Sequence, residues 1–151
     1  MAVIGVVSDT HGLLREQVFD ALSGCEKIIH AGDVGRPEVL QSLETIAPVV
    51  AVRGNCDIAP WARELPLTEV VEIEGKFIYI LHDINDLNLD PKSSGFDVVI
   101  SGHSHRPSVL TEQQVLYLNP GSAGPRRFRL PVSVARLYIE SDKVWAEIIE
   151  L

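Results

Sequence analysis

Short apolar runs that end abruptly in polar residues and glycine recur along the chain. Residues 3–8, 27–31 and 49–53 are β-branched stretches of strand length. Between the first two, Leu14, Val18, Ala21 and Leu22 fall at i, i+4, i+7 and i+8, the apolar face of a helix, and Gly24 marks its end. Pro37 suits the first turn of a second helix that runs to about residue 47. Strands joined by helices predict parallel βαβ units. The second half is mostly strand: 70–73 and 77–81 flank the hairpin signal Glu74-Gly75-Lys76. Runs at 97–101, 115–118, 131–140 and 144–149 come next, the last two joined by Ser141-Asp142-Lys143. The pattern predicts two packed sheets with helices outside them, and a loop or short helix over 83–95.

The polar residues at the end of each run carry the chemistry. The first strand ends in Asp9-Thr10-His11, the second in Gly32-Asp33 and the third in Gly54-Asn55-Cys56-Asp57. Later strands end in His82-Asp83 and Gly102-His103-Ser104-His105. In α/β sheets the carboxyl ends of strands line the binding crevice, and glycines let the chain turn sharply there. Seven side chains can therefore converge: Asp9, His11, Asp33, Asn55, His82, His103 and His105. Carboxylate, amide oxygen and imidazole suit Mn²⁺, Fe and Zn²⁺. Seven ligands exceed one tetrahedral ion and suit two ions if one carboxylate bridges. Four of the five histidines fall at these strand ends. His30, inside an apolar run, reads instead as a core histidine or one that orients its neighbours.

A chain of 151 residues suits a single domain with a core that needs no disulfide. Apolar residues are 46% and charged residues 23%, ordinary for a soluble globular protein. Cys25 and Cys56 are too few and too separate for a disulfide framework or a thiolate zinc site, and they fit a reducing cytoplasm. No apolar run approaches the ~20 residues of a membrane span, and the first residues read as a strand rather than a leader. The net charge of −8 argues against a broad nucleic-acid surface or an anionic membrane. Two divalent ions beside two carboxylates would nonetheless leave the site itself positive, which suits a small phosphoester.

The five blocks in this order resemble the calcineurin-like metallophosphoesterases. The small size, Gly54-Asn55-Cys56-Asp57 and Asn119-Pro120-Gly121-Ser122 are similar to that superfamily's short bacterial and archaeal phosphodiesterase branch, whose fold the retromer small subunit shares. The resemblance spans residue 3 to about residue 150. It implies a four-layer α-β-β-α sandwich of two mixed sheets flanked by helices. It implies one ion on Asp9, His11, Asp33 and His105, and a second on Asp33, Asn55, His82 and His103, with Asp33 bridging. It implies Mn²⁺, with Fe, Ni²⁺ or Zn²⁺ as alternatives, and phosphoester hydrolysis by hydroxide activated between the two ions. Asn55 would also orient the substrate oxygen. Two positions depart from the wider pattern. Cys56 stands where a histidine near the leaving group is usual, and a thiol of pKa about 8.5 replaces an imidazolium poorly. Asp83 stands directly after His82, where many relatives carry glycine.

Other positions carry two readings. Asp57 is expected to orient its neighbours or to cap a turn. Arg126, within Gly124-Pro125-Arg126-Arg127-Phe128-Arg129, clamps a substrate phosphate or forms part of a solvated face, and Arg53 is similarly ambiguous. Trp61 fits core packing. The activity expected is phosphodiester hydrolysis. A phosphomonoesterase on the same site and a retromer-subunit-like scaffold are the alternatives, and the seven filled ligand positions favour an enzyme. Exposed sheet edges in the second half leave homo-oligomers open.

Overall fold

The structure, a computed structural model, describes residues 1–151. In chain order the first half comprises β1 (Ala2–Val7), α1 (Gln17–Ala21), β2 (Lys27–His30), α2 (Pro37–Glu44) and β3 (Val49–Ala51). A 3₁₀ turn at Pro60–Glu64 leads into β4 (Thr68–Ile73) and β5 (Lys76–Leu81). A second 3₁₀ turn, Ile84–Asp86, precedes β6 (Val98–Ile100), β7 (Ser108–Glu112) and β8 (Val115–Asn119). The chain closes with β9 (Ser133–Ile139) and β10 (Val144–Glu150).

Two mixed five-stranded sheets result, with orders β10-β9-β1-β2-β3 and β4-β5-β6-β8-β7. β1, β2 and β3 run parallel, as do β5, β6 and β8, while the hairpins add antiparallel edges. The inner faces interdigitate in one apolar layer: Ile4, Val6 and Leu137 of the first sheet meet Ile78, Ile100 and Leu118 of the second. The helices lie on the outer face of the first sheet, where Val18, Leu22, Val39 and Leu43 cover Val7, Ile28 and Val134. Gly5 permits that approach, because a Cβ there would press on Ile28 and Leu22. The outer face of the second sheet carries a thinner layer. Leu87, Leu89 and Phe96, from the irregular stretch after β5, cover Tyr79, Leu81 and Val99.

Three elements differ from the sequence pattern. α1 is a single turn rather than a helix from Leu14, because its N-cap Glu16 makes no side-chain cap bond and one turn gains little on its own. Leu14 still packs against the core without being helical. α2 stops at Glu44 rather than near residue 47, and Thr45 Oγ1 donates to Ser42 O at 2.6 Å as it ends. β7 has no counterpart in the prediction. All five of its residues are exposed, and its turn to β8 uses Gln113 and Gln114, both at positive φ (48° and 67°), where Asn-Gly would have signalled a hairpin.

Candidate metal centre

The strand ends converge as the polar blocks require. Asp9 and His11 lie just past β1, Asp33 past β2, Asn55 beyond β3, His82 directly after β5, and His103 and His105 after β6. The backbone is bent hard to bring them in. Asp9, His11, Asp33, His103 and His105 all have φ between 46° and 69°, a region costly for residues with side chains and found where surrounding contacts enforce it. Two glycines make room. A Cβ on Gly54 would overlap the Asp33 carboxylate, and one on Gly102 would overlap Ser8 Oγ and Asp9 Oδ2.

Each of the two carboxylates is anchored through one oxygen and open through the other. Asp9 Oδ2 accepts from Ser8 Oγ (2.6 Å) and the His103 backbone N–H (3.0 Å). Its Oδ1 faces Nε2 of His105 (3.3 Å), His11 (3.8 Å) and His82 (3.8 Å). Asp33 Oδ1 accepts from the Cys56 backbone N–H (2.8 Å), while Oδ2 faces Nε2 of His82 (3.2 Å) and His11 (3.7 Å). His103 Nδ1 lies 3.2 Å from Asn55 Oδ1. All seven predicted side chains are thus brought together.

Several buried polar atoms of the cluster have hydrogen-bonding capacity that the protein does not use. Asp9 Oδ1, His11 Nε2, His82 Nε2 and His105 Nδ1 are buried and have no hydrogen-bond partner. Buried polar atoms are rarely left so, because each costs about 1–3 kcal/mol. His82 shows the cause most clearly. Its Nδ1 lies 2.8 Å from Ala31 O and donates to it, so Nε2 is the nitrogen turned toward the carboxylates of Asp9 and Asp33. With Nδ1 so engaged, Nε2 can give its lone pair to a cation held between the two carboxylates, and an imidazole whose other nitrogen donates to a carbonyl is the usual form of a metal ligand. Asp9, His11 and His105 offer ligand atoms within 4.8 Å of one another, as do Asp33, His82 and His103, and as do His11, Asp33 and Cys56. The donors present fit divalent metal ions. Burial favours the neutral acid of Asp33, yet the His82 ring beside it and the hydrogen bond from the Cys56 N–H prevail and hold its carboxyl at about 2.

Of the remaining predicted residues, only the Cys56 thiol reaches the cluster, beside His11 and Asp33. Asp57 is buried and accepts from three backbone N–H groups: Gly54 (2.8 Å), Gly35 (3.1 Å) and Val34 (3.2 Å). It ties the Asp33 loop to the Asn55 loop. The Cys56 thiol is exposed, and burial of part of its surface, then the charge of Asp33, pushes its pKa up. Arg126 is exposed, and it is Arg127 whose charge acts on His105. Asp83 Oδ1 accepts from Asn85 N (3.0 Å) as the cap of a 3₁₀ turn, while its Oδ2 lies 3.7 Å from His103 Nε2. Trp61 packs partly buried against the helix-side core.

Four residues to which the sequence pattern gives no role hold the site together. Ser8 anchors Asp9. Ser122 Oγ donates to Asp9 O (3.0 Å), and Asn119 Nδ2 donates to Gly102 O (2.9 Å) and Ser104 Oγ (3.1 Å). Thr10 completes a relay through fully buried His30. The Gly32 N–H donates to His30 Nδ1 (3.1 Å), so Nε2 carries the proton and donates to Thr10 Oγ1 (2.9 Å), which donates to Val34 O (2.8 Å). The block containing Asn119 and Ser122 was visible in the sequence, but not its bracing role.

Comparison with known proteins places this geometry in context. Residues 2–142 match the model of the calcineurin-like phosphoesterase superfamily domain. The chain is 40% identical over 159 residues to a probable metallophosphoesterase of Methanothermobacter thermautotrophicus, covering 97% of this chain and 91% of that protein. It is 31% identical to the phosphodiesterase YfcE of Escherichia coli K12, covering 86% and 84%. In fold it is similar to Vacuolar Protein Sorting 29 from Cryptosporidium parvum, with a TM-score of 0.84 at 22% identity over 99% of this chain and 91% of that one.

Proposed function

The chain belongs to the calcineurin-like phosphoesterase superfamily, and on that premise we propose that it is a phosphodiesterase acting on a small phosphoester with the help of two divalent ions, Mn²⁺ foremost. The observation that carries the reading is the set of buried atoms without partners: Asp9 Oδ1, His11 Nε2, His82 Nε2 and His105 Nδ1. Asp9, His11, Asp33 and His105 hold one ion in this reading. Asp33, Asn55, His82 and His103 hold the other, and Asp33 serves both. Bound there, divalent ions neutralise phosphoryl oxygens and make water acidic enough to supply a nucleophile at neutral pH.

The chain's own side chains position these partners. Ser8, Cys56 N–H and His103 N–H fix the two carboxylates in one rotamer each, so little reorganisation is needed when substrate arrives. Asn55 Nδ2 is engaged only by Cys56 Sγ at 3.5 Å, a weak contact, and is available to donate to a phosphoryl oxygen. Asp57 acts through the loops it ties rather than on the substrate. Cys56 offers no imidazolium, so the departing alkoxide takes its proton from solvent at the open face. The scaffold alternative rests on likeness of fold alone.

The test is metal removal, restoration with Mn²⁺, and comparison of bis(p-nitrophenyl) phosphate with p-nitrophenyl phosphate. Turnover should vanish with chelation, return with metal and favour the diester. A preference for the monoester would make the protein a phosphatase. Absence of turnover with any divalent metal would favour the scaffold.

A further inference from the structure

A cavity of about 430 Å³ opens beside Asn55, His82 and His103, with Leu67 and Leu81 as its apolar lining. Arg53 lines it as well. The position of this arginine is set by the backbone, whose N–H donates to Pro66 O at 2.8 Å just ahead of β4. Its side chain has no structural employment. Nε is buried without a hydrogen-bond partner, and every ion pair in the protein joins a histidine to an aspartate, none an arginine. A permanently charged guanidinium left unpaired and partly out of water is costly. Its planar fork matches the oxygens of a phosphate.

The cavity also carries negative charge. Asp83 and Asp86 line it; Asn85 occupies Asp83 Oδ1, while Oδ2 lies 3.7 Å from His103 Nε2 in the same lining. Carboxylates there repel a second anion and accept from hydroxyl or amine donors.

We propose that Arg53 grips the phosphate of the substrate, and that the adjoining cavity takes the ester's organic group, one that bears hydrogen-bond donors and no negative charge. The proposal rests on the phosphoesterase reading above. It makes Arg53 a specificity-determining contact on the Asn55–His103 side of the cluster, and it narrows the substrate to a phosphoester of a non-anionic, donor-bearing alcohol.

Two measurements on the Mn²⁺-loaded protein decide it: calorimetric binding of inorganic phosphate, and KM for bis(p-nitrophenyl) phosphate. Wild type is compared with Arg53→Ala and Arg53→Lys, with circular dichroism and bound manganese as controls. Arg53→Ala should weaken phosphate binding and raise KM by about ten- to hundredfold each, with a smaller change in kcat and unchanged manganese content. Arg53→Lys should recover part of the loss. Phosphate affinity and KM equal to wild type in a folded variant would overturn the role of Arg53, and if the alanine variant does not fold, an unaltered lysine variant overturns it. Should wild type turn over no phosphoester, the functional reading falls while the phosphate calorimetry still decides Arg53. For the cavity, a glycerol-bearing p-nitrophenyl diester should be hydrolysed at least about tenfold better than a carboxylate-bearing one, and Asp86→Asn should narrow the gap. Equal hydrolysis of the two by wild type would refute the assignment.

Discussion

Asp9 and Asp33 each give one carboxylate oxygen to the protein and keep the other for the cluster. That division could not be read from the sequence. Strand ends announce themselves through glycine next to Asp, Asn or His, so the seven side chains stood out. The serines, threonine and asparagine that aim them carry no pattern, and neither does a positive φ at Asp9 or His105. Cys56 illustrates the same limit: its exposed thiol lies beside His11 and Asp33, at the rim of a cluster whose other donors are oxygen and nitrogen. Replacing it with serine should change kcat/KM by less than about tenfold, whereas a thiol nucleophile would lose several orders of magnitude. Steady-state kinetics of Cys56→Ser separates the two. His30 makes a second prediction. Burial above all, then the charges of His82 and His11, lowers its pKa to about 3 against the opposing pull of Asp33, from an ordinary value of 6.5. The unfolded chain therefore binds a proton that the folded one refuses. Stability from this group is complete above about pH 6.5 and is lost as pH falls toward 3, by roughly 1.4 kcal/mol per unit. Denaturant titrations of wild type and His30→Gln between these limits should show a shallower acid slope in the variant, and identical slopes would refute the relay's neutral state.

Among the elements, buried β-branched strands were the most legible, because burial on both faces leaves continuous apolar runs. β7 was missed since an edge strand with every residue exposed has no apolar period to show. α1 was overestimated because Leu14 lies on the helical apolar face yet belongs to the preceding loop. The helix layer is held by packing rather than by caps, as neither α1 nor α2 has a side-chain cap bond. Leu43 of α2, fully buried against the first sheet, should carry much of that packing. Leu43→Ala is expected to cost about 2–5 kcal/mol in chemical denaturation while leaving metal content unchanged. Loss of bound metal at full occupancy of the folded state would show that the outer layer and the site are not separable.

For the whole molecule, a net charge of −8 first weighs against any anionic ligand. The fold reverses that locally, since five strand ends from two sheets gather Asp9 and Asp33 where cations belong, and two divalent ions would bring the total to −4. The sandwich of two sheets was legible from the order of strands. The thinness of the layer over the second sheet was not, because the stretch after β5 covers Tyr79 and Leu81 with scattered Leu87, Leu89 and Phe96 rather than a periodic face. Metals that bind only the folded chain stabilise it by mass action, about 2.7 kcal/mol at a hundredfold excess over Kd. The melting temperature should accordingly rise with added Mn²⁺ and fall back with chelator, and a melting curve indifferent to both would contradict folded-state binding. The central claim, a two-ion centre shared by Asp33, is tested most directly by anomalous diffraction from Mn²⁺-soaked crystals. Two peaks are expected, one against Asp9, His11 and His105 and one against Asn55, His82 and His103, both touching Asp33 and both lost in Asp33→Ala. A single peak, or none at these side chains, would contradict it.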